Sequence, residues 1–588
     1  MYYLKIFVKT FLSLFAIMRV TGMSTKNPCS LIVFLILLYV FAKLHSDHVE
    51  SHIISGDMTL SVLISVFFSI FTISATYQTI LGEMASIIFC AGILLLTGIG
   101  LLIVYYYLTI WFLQAASSIT LTGSGYSYAW IPYLAAFICL LCWLPYFLYE
   151  YPGVMTPDSI NQYAQIIGAY ELNNHHSIAH TALIGMFYNI GLSITKDAHT
   201  GLALYTIAQM IFMALAAGYV IRTLQKADVI MPVVFLTVGF YALIPYNGAF
   251  AVTIWKDIPF AGCMTIFAAA LMRFLLRGSF AASSDAVPKL RVSEYFTLLI
   301  PYVLSGTLLC LLRTNGWYIF VVSVPFILIA YRKWLKVMLP IHLTILAFAL
   351  FVKYPVMHVY EIPQADFVES LSIPVQQIAR VIANGESLTE SEAAYVHALM
   401  DLEKIPASYQ PDCSDNIKNL IRQKGIASLE SDKGKFFKMW FSIGIEHPKA
   451  YFDAYVAQTN GYWYPDVDYE VGLADGIYPN EFELNWQPII RGNIIIKIKE
   501  LLFKLPKILP LYGLLWSMGF LFWLILLLTA LSLRMGKPAS ALVCLPFLLL
   551  ITTLCIATPV ATEFRYVYAA FYALPLLIVS PFVWEPNR

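Results

Sequence analysis

Hydrophobic positions along this chain come in long unbroken runs rather than in alternating or one-faced patterns. Runs lie near 3–20, 29–45, 58–80, 85–112 and 128–149, and after a polar interruption at 178–194, 199–222, 229–247, 257–277, 294–312, 316–331 and 337–354. A polar stretch occupies roughly 355–507, and three last runs lie near 508–533, 538–557 and 565–584. About 18 to 20 apolar residues make a helix long enough to cross a bilayer. The pattern therefore predicts an all-α polytopic membrane protein with about 13–14 crossings. The first run is the weakest, because Lys5, Lys9 and Arg19 would let it lie flat in the interface.

Composition agrees with the pattern: 60% of the 588 residues are hydrophobic and 12% charged, outside the range of soluble proteins. With a net charge of +1 and no dense basic cluster, nothing points to nucleic acid. The nine cysteines are scattered, all but Cys413 in or beside apolar runs, so no disulfide framework is expected. Cys139 and Cys142 form a C-x-x-C inside a run, which reads as packing. The N-terminus has lysines before an apolar core but no small-residue cleavage site, and further runs follow; an uncleaved anchor or interfacial helix is expected. No internal repeat is visible, so the inverted repeats of many secondary transporters are not supported.

Short-loop lysines and arginines predict orientation. Arg222 with Lys226, the basic residues between 273 and 291, those between 332 and 336, and Arg534 with Lys537 are expected in the cytoplasm, with both termini. The turns at 248–256, 313–315 and 558–564 and the 355–507 segment, with about twenty of the 35 acidic residues, then face outward. Run 178–194 is short and broken by Asn189-Ile190-Gly191. If it lies along the surface instead of crossing, 150–199 is one extracytoplasmic loop with two amphipathic helices, on the same side as 355–507. The latter is expected to form a small helical cap with too few apolar residues for a large core of its own.

The sharpest interruption is YPGVMTPDSINQYAQIIGAYELNNHHSIAH at 151–180. Tyr151-Pro152-Gly153 stops a helix, and Pro157-Asp158-Ser159 starts another, with Asp158 or Ser159 placed to cap it. Capping alone would explain Asp158, yet a carboxylate at the mouth of a membrane bundle is costly and marks a functional position.

Together the motifs YPGVMTPDS, NHHSIAHT, LLRTNGWY, IPVQQIARV and EFRYVY resemble the GT-C superfamily of membrane glycosyltransferases, and more closely a large uncharacterised bacterial GT-C-like family. The resemblance covers 128–588 and leaves 1–127 as additional transmembrane segments. It implies a transmembrane module at 128–354, a first external loop at 150–199 bearing an acidic residue, an extracytoplasmic helical domain at 355–507 and closing helices at 508–588. It further implies inverting sugar transfer from a polyprenyl-phosphate-linked donor to a cell-envelope acceptor on the outer face. Asp158 matches the acidic position, and Asn174-His175-His176-Ser177 stands where many members have His-Pro or Lys-Pro. Two departures matter: Asp-Ser replaces the paired acids of metal-using members, so no cofactor or divalent cation is expected at Asp158, and Ser177 replaces the proline. Asp466-Val467-Asp468 does spell Asp-x-Asp, but in a Pro- and Tyr-rich turn.

Transfer of this kind needs a base for the acceptor hydroxyl and cations for the departing phosphate. Asp158 is the candidate base, with a pKa expected to be raised by the apolar boundary. Arg313 and Arg565, at outward ends of runs, suit bidentate phosphate recognition, although lipid headgroups or, for Arg565, Glu563 would also engage them. Arg380 of the polar segment, Lys256 with Asp257 in the turn TIWKDIP, and His175 with His176 complete the candidate substrate contacts; Asp257 would serve equally as a helix cap. His176 and His180 are four apart, a zinc-like spacing, but no third ligand or catalytic glutamate accompanies them. A lipid-linked sugar transporter and a surface-polysaccharide polymerase or ligase are the competing classes.

Overall fold

A computed structural model describes residues 2–46, 55–82, 86–123, 126–280, 292–467, 474–561 and 563–583. Among them helices are the only extended regular elements, joined by a few isolated backbone bridges. Among the described residues nine helices are long and apolar enough to cross a membrane, or up to eleven if two bent pairs each form one span. Shorter apolar helices occupy Cys29–Leu44, Thr314–Ala330 and Met518–Arg534. The protein is a polytopic membrane protein.

Prolines decide where single predicted runs divide. Run 229–247 splits at Ile244: Met231–Leu243 ends, and Pro245 opens Pro245–Ala251 at a bend of 53°. A proline lacks the N–H that would continue the ladder. The last run bends by 46° between Phe564–Tyr572 and Leu574–Phe582, with Pro575 just past the break. Run 508–533 starts later than its hydropathy suggests. Asn493–Ile508 is an amphipathic helix carrying four lysines and burying no residue, Tyr512–Trp516 is a 3-10 turn, and the apolar helix begins at Met518.

Basic and acidic turns sort to opposite ends of the bundle. Tyr331 bonds the Leu271 carbonyl (2.8 Å) and Trp334 packs on Phe274, which brings the 332–336 turn beside Arg273. The Pro538–Ala541 helix, next to Lys537, touches the same Asp257–Phe280 helix. At the other end lies the polar segment. Helices Ser372–Ala383, Glu390–Leu399, Asp415–Lys424, Lys433–Glu446 and Pro448–Trp463 close around Val375, Ile378, Val396, Leu399, Ile421 and Ile443. This core is small and belongs to the segment itself. It docks on the bundle through backbone bonds: Met155 to the Gly476 carbonyl, Tyr478 to the Met155 carbonyl and Ser414 to the Pro559 carbonyl, each 2.9 Å.

Ile178–Thr195 begins and ends at this polar end. Ser177 Oγ donates to the Leu311 carbonyl (2.7 Å) and Asn174 N–H to that of Pro363 (3.0 Å), while just past its far end His199 meets Asn485 and Gln487. By length and composition alone its 18 residues would pass for a crossing. The N-terminal helices also join the body: Phe68 stacks on Trp523 at 3.9 Å and Tyr77 bonds Asp453.

Candidate functional site

Two short extended stretches position the centre of the polar end. Val154 N–H bonds the Val252 carbonyl (3.0 Å) and Ile254 N–H the Val154 carbonyl (2.9 Å), so the first loop and the turn before Lys256 run side by side. Gly153 makes this approach possible. Its φ is +147°, and a Cβ there would collide with the Thr206 side chain. Beyond the pairing each chain enters a helix, Pro157–Ile166 and Asp257–Phe280.

The N-cap of the first helix is Thr156, not Asp158 or Ser159 as expected from the sequence. Ser159 instead returns a bond to the cap, accepting from the Thr156 N–H at 2.9 Å. The physical reason is Pro157, which prefers the first helical position and pushes the cap one residue back. Asp158 is thereby freed from capping and pairs with Arg565, Oδ2 to Nη1 at 3.0 Å, across 407 positions of sequence.

Four other residues predicted for the site gather around that pair. Arg565 Nε lies 3.1 Å from Glu563, and Arg313 pairs with the buried Asp257. The Tyr566 ring lies between the two guanidiniums, 4.7 Å from Arg313 and 5.2 Å from Arg565, and Trp255 covers Arg565 at 4.8 Å. Trp255 is itself held by its Nε1–H on Thr156 Oγ1, 2.8 Å. Lys256 is half-buried among these groups and, among the described residues, its ammonium group has no hydrogen bond or ion pair. His176 is 93% buried, yet its Nδ1 has no partner.

Electrostatics correct one expectation. Burial alone would raise the Asp158 carboxyl, but Arg565 above all, with Lys256, outweighs it and holds the pKa below the ordinary carboxylate value. Glu563 goes the other way: burial, helped by Asp257 and Asp158, raises it against the pull of Arg565. Burial, with Lys256 nearby, lowers His176 to about 3, so the imidazole is neutral and its bare nitrogen can donate or accept.

Three candidates lie elsewhere. Arg380 stays with its helix in the core of the polar segment and stacks on Tyr409 at 5.7 Å. His175 is part-exposed and faces Glu369 of the same segment at 3.8 Å. His180 has neither nitrogen free for zinc or substrate: Nδ1 donates to Gln162 Oε1 (2.9 Å) and Nε2 accepts from the Tyr205 hydroxyl (2.7 Å). The Tyr205 oxygen lies 3.2 Å from Gln209, whose amide donates to the Ala251 and Thr253 carbonyls at 3.0 and 2.8 Å. This buried chain ties both loop helices to the turn that carries Lys256. No group of three or more metal-type ligands occurs among the described residues, and Asp468 of the Asp-x-Asp lies outside them.

Sequence reasoning missed Trp255, Tyr566 and the Gln162–His180–Gln209 chain; Glu563 entered it only as a competitor for Arg565. Trp255 and Tyr566 adjoin Lys256 and Arg565 in sequence, the one signal that pointed to them.

Behind the Val154–Thr253 pairing is a cavity of about 240 Å³ whose lining is nearly all apolar, including Tyr146, Ala249, Ile495, Ile498 and Leu502. The amphipathic Asn493–Ile508 helix walls one side. At its rim Glu150 accepts from Lys499 at 2.6 Å and from the Gly476 N–H at 2.7 Å, and Lys499 also pairs with Asp475.

The model of the family of unknown function DUF6020 matches residues 167–585, well over half of the sequence, and the chain belongs to that family. The matched stretch includes His176, Lys256, Asp257, Arg313 and Arg565, while Asp158 precedes it. No curated protein and no solved structure matches the chain.

Proposed function

We propose that this member of the DUF6020 family is a GT-C-like glycosyltransferase that moves a sugar from a polyprenyl-phosphate donor to a cell-envelope acceptor on the extracytoplasmic face. One observation carries the reading: Lys256, with no side-chain partner of its own, and the bare nitrogen of His176 sit beside Asp158 and Arg565, and the Val154–Thr253 pairing that positions their turns also lines an apolar cavity. A phosphate would complete the first two groups, and isoprenoid units suit the cavity. In this reading the acidic loop and the polar segment lie outside, the basic turns and both termini inside.

The same reading assigns the roles. The donor phosphate meets Lys256 and His176 and shares Arg565 with Asp158. Its negative charge offsets the cations that depress Asp158, so the carboxylate becomes a better base as the donor arrives. The acceptor oxygen attacks the anomeric carbon and loses its proton to Asp158, while the bond from that carbon to the phosphate oxygen breaks and its electron pair stays with the phosphate. Arg565 and Lys256 stabilise the charge that develops there. Arg313 is a positioning residue, locked to Asp257 and stacked on Tyr566.

The test is purified protein in nanodiscs with a polyprenyl-phosphate-linked sugar, following sugar release and lipid-phosphate formation. Release that depends on Asp158 supports the reading; intact donor under all acceptor conditions counts against it. A transporter of lipid-linked sugars is the second reading, favoured by the two bent helices, which meet where Tyr568 donates to Asn247 at 3.0 Å. Movement of donor between leaflets without release would select it. A surface-polysaccharide polymerase or ligase would transfer a whole glycan chain in the same assay.

A further inference from the structure

The opposite end of the bundle holds a second, smaller pocket of about 190 Å³, which the proposed chemistry does not use. It is bounded by Lys226, Arg273 and Arg277 against one carboxylate, Glu294, with Leu276 and Leu298 between them. Asp257 opens a helix on which Arg273 lies about 24 Å further along at 1.5 Å per residue, so this pocket is remote from Asp158.

The cations are not equally matched. Glu294 lies 3.1 Å from Arg277. Arg222, just outside, is satisfied by neutral oxygens of Ser127 (2.9 Å) and Gln225 (3.5 Å). Arg273 is 95% buried; it donates from Nη1 to the Thr297 carbonyl (2.7 Å) and lies over the Tyr219 ring at 4.6 Å, but its Nε has no partner. Lys226 is exposed and has no ion pair among the described residues.

The backbone is shaped around Arg273. Tyr295–Leu299 is a single π-helical turn, and its Thr297 carbonyl also accepts from the Tyr219 hydroxyl at 3.0 Å. Such turns widen a helix locally and occur often at functional sites. Along the same helix Val292, Phe296 and Ile300 stand exposed. Cations held against a helix with outward apolar side chains match a phosphate that carries acyl chains. Basic pockets between membrane helices hold anionic headgroups in this way.

We propose that this pocket binds the phosphate of an anionic phospholipid, with Arg273 and Lys226 as its ligands and the acyl chains along Phe296 and Ile300.

The test uses the full chain purified in detergent and incubated with equal phosphatidylglycerol and phosphatidylcholine of matched chains, with retained lipid counted by native mass spectrometry. The parent should retain one phosphatidylglycerol in preference by about tenfold. Arg273→Gln should abolish that preference. Because Arg273 is buried, Lys226→Gln serves as the variant that leaves the fold intact, and it should weaken the preference severalfold. Lys336→Gln, an exposed basic residue at the same end, should leave it unchanged. Equal retention by the parent and Lys226→Gln would overturn the proposal, as would an equal loss in Lys336→Gln. Displacement of the lipid by millimolar inorganic phosphate would overturn the assignment to a headgroup.

Discussion

Two groups of buried charge face each other across His175, and they are built differently. In the polar segment Lys418 pairs with Glu369 at 2.9 Å and Asp415 at 2.7 Å, and Arg422 takes Asp366 with two nitrogens at 2.7 and 3.2 Å while also pairing with Glu369. Every charge there is answered by the protein. Burial alone would raise Glu369, but Lys418, His175 and Arg422 bring it down to about 2. At the mouth of the bundle the arithmetic is left open: Arg565 is shared between Asp158 and Glu563, Lys256 has no partner, and a neutral His176 presents a bare nitrogen. A closed cluster fixes structure, whereas an open one has room for an anion the chain does not supply.

The contrast can be broken most forcefully at Lys418. Lys418→Met removes one of the two cations that Glu369 is paired with and leaves it to Arg422, and should cost about 1–3 kcal/mol of stability in denaturant unfolding, with donor affinity of the folded protein unchanged. Lys256→Met should do the reverse, leaving unfolding nearly untouched and weakening donor binding. Comparable stability losses in both would erase the distinction.

Asp158→Asn keeps shape and removes the base, so sugar transfer should fall at least about a hundredfold at equal expression while donor binding holds. Next in size is Arg565. Its alanine variant should bind donor about ten- to a hundredfold more weakly, with lysine intermediate because it keeps the charge and loses the planar fork. Arg313→Ala should behave like the closed cluster and lose stability, since it leaves Asp257 buried and unpaired.

The smallest effects are those of pH. A depressed Asp158 stays ionised below its usual 3.8, so the acid limb of kcat/KM lies under that value. Arg565→Gln should move the limb upward; an unmoved limb would detach Asp158 from the arginine. For Glu369 the folded pKa is below the ordinary 4.5. Its contribution to stability is therefore complete above about that pH and is lost as pH falls toward 2, which acid unfolding of parent and Glu369→Gln would show.

Much of this was legible before the structure, for physical reasons. Apolar runs long enough for hydrocarbon mark helices whatever their neighbours, and arginines at helix ends away from the basic turns stand out. Asp158, His176, Lys256, Asp257, Arg313 and Arg565 were candidates from the broken loop, the turns, the helix-end arginines and the family resemblance, and the fold brings them together. What pairs with what was not legible. Asp158 and Arg565 are 407 positions apart, and only the folded bundle brings them to 3.0 Å. Local rules also misled where two competed: Pro157 took the first helical turn and moved the cap to Thr156, and Arg380 followed its own helix into a separate core. The raised pKa expected for Asp158 counted its burial but not the cations gathered from distant turns.

The central claim is that the open cations at the mouth of the bundle take a lipid-linked phosphate. Its most direct test is equilibrium binding of a polyprenyl phosphate without sugar to the purified protein, beside the same polyprenol without phosphate. The phosphate should be preferred by about tenfold or more, and Lys256→Gln should remove most of that preference while Lys418→Met keeps it. Equal binding of alcohol and phosphate, or a preference untouched by Lys256→Gln, would contradict the account.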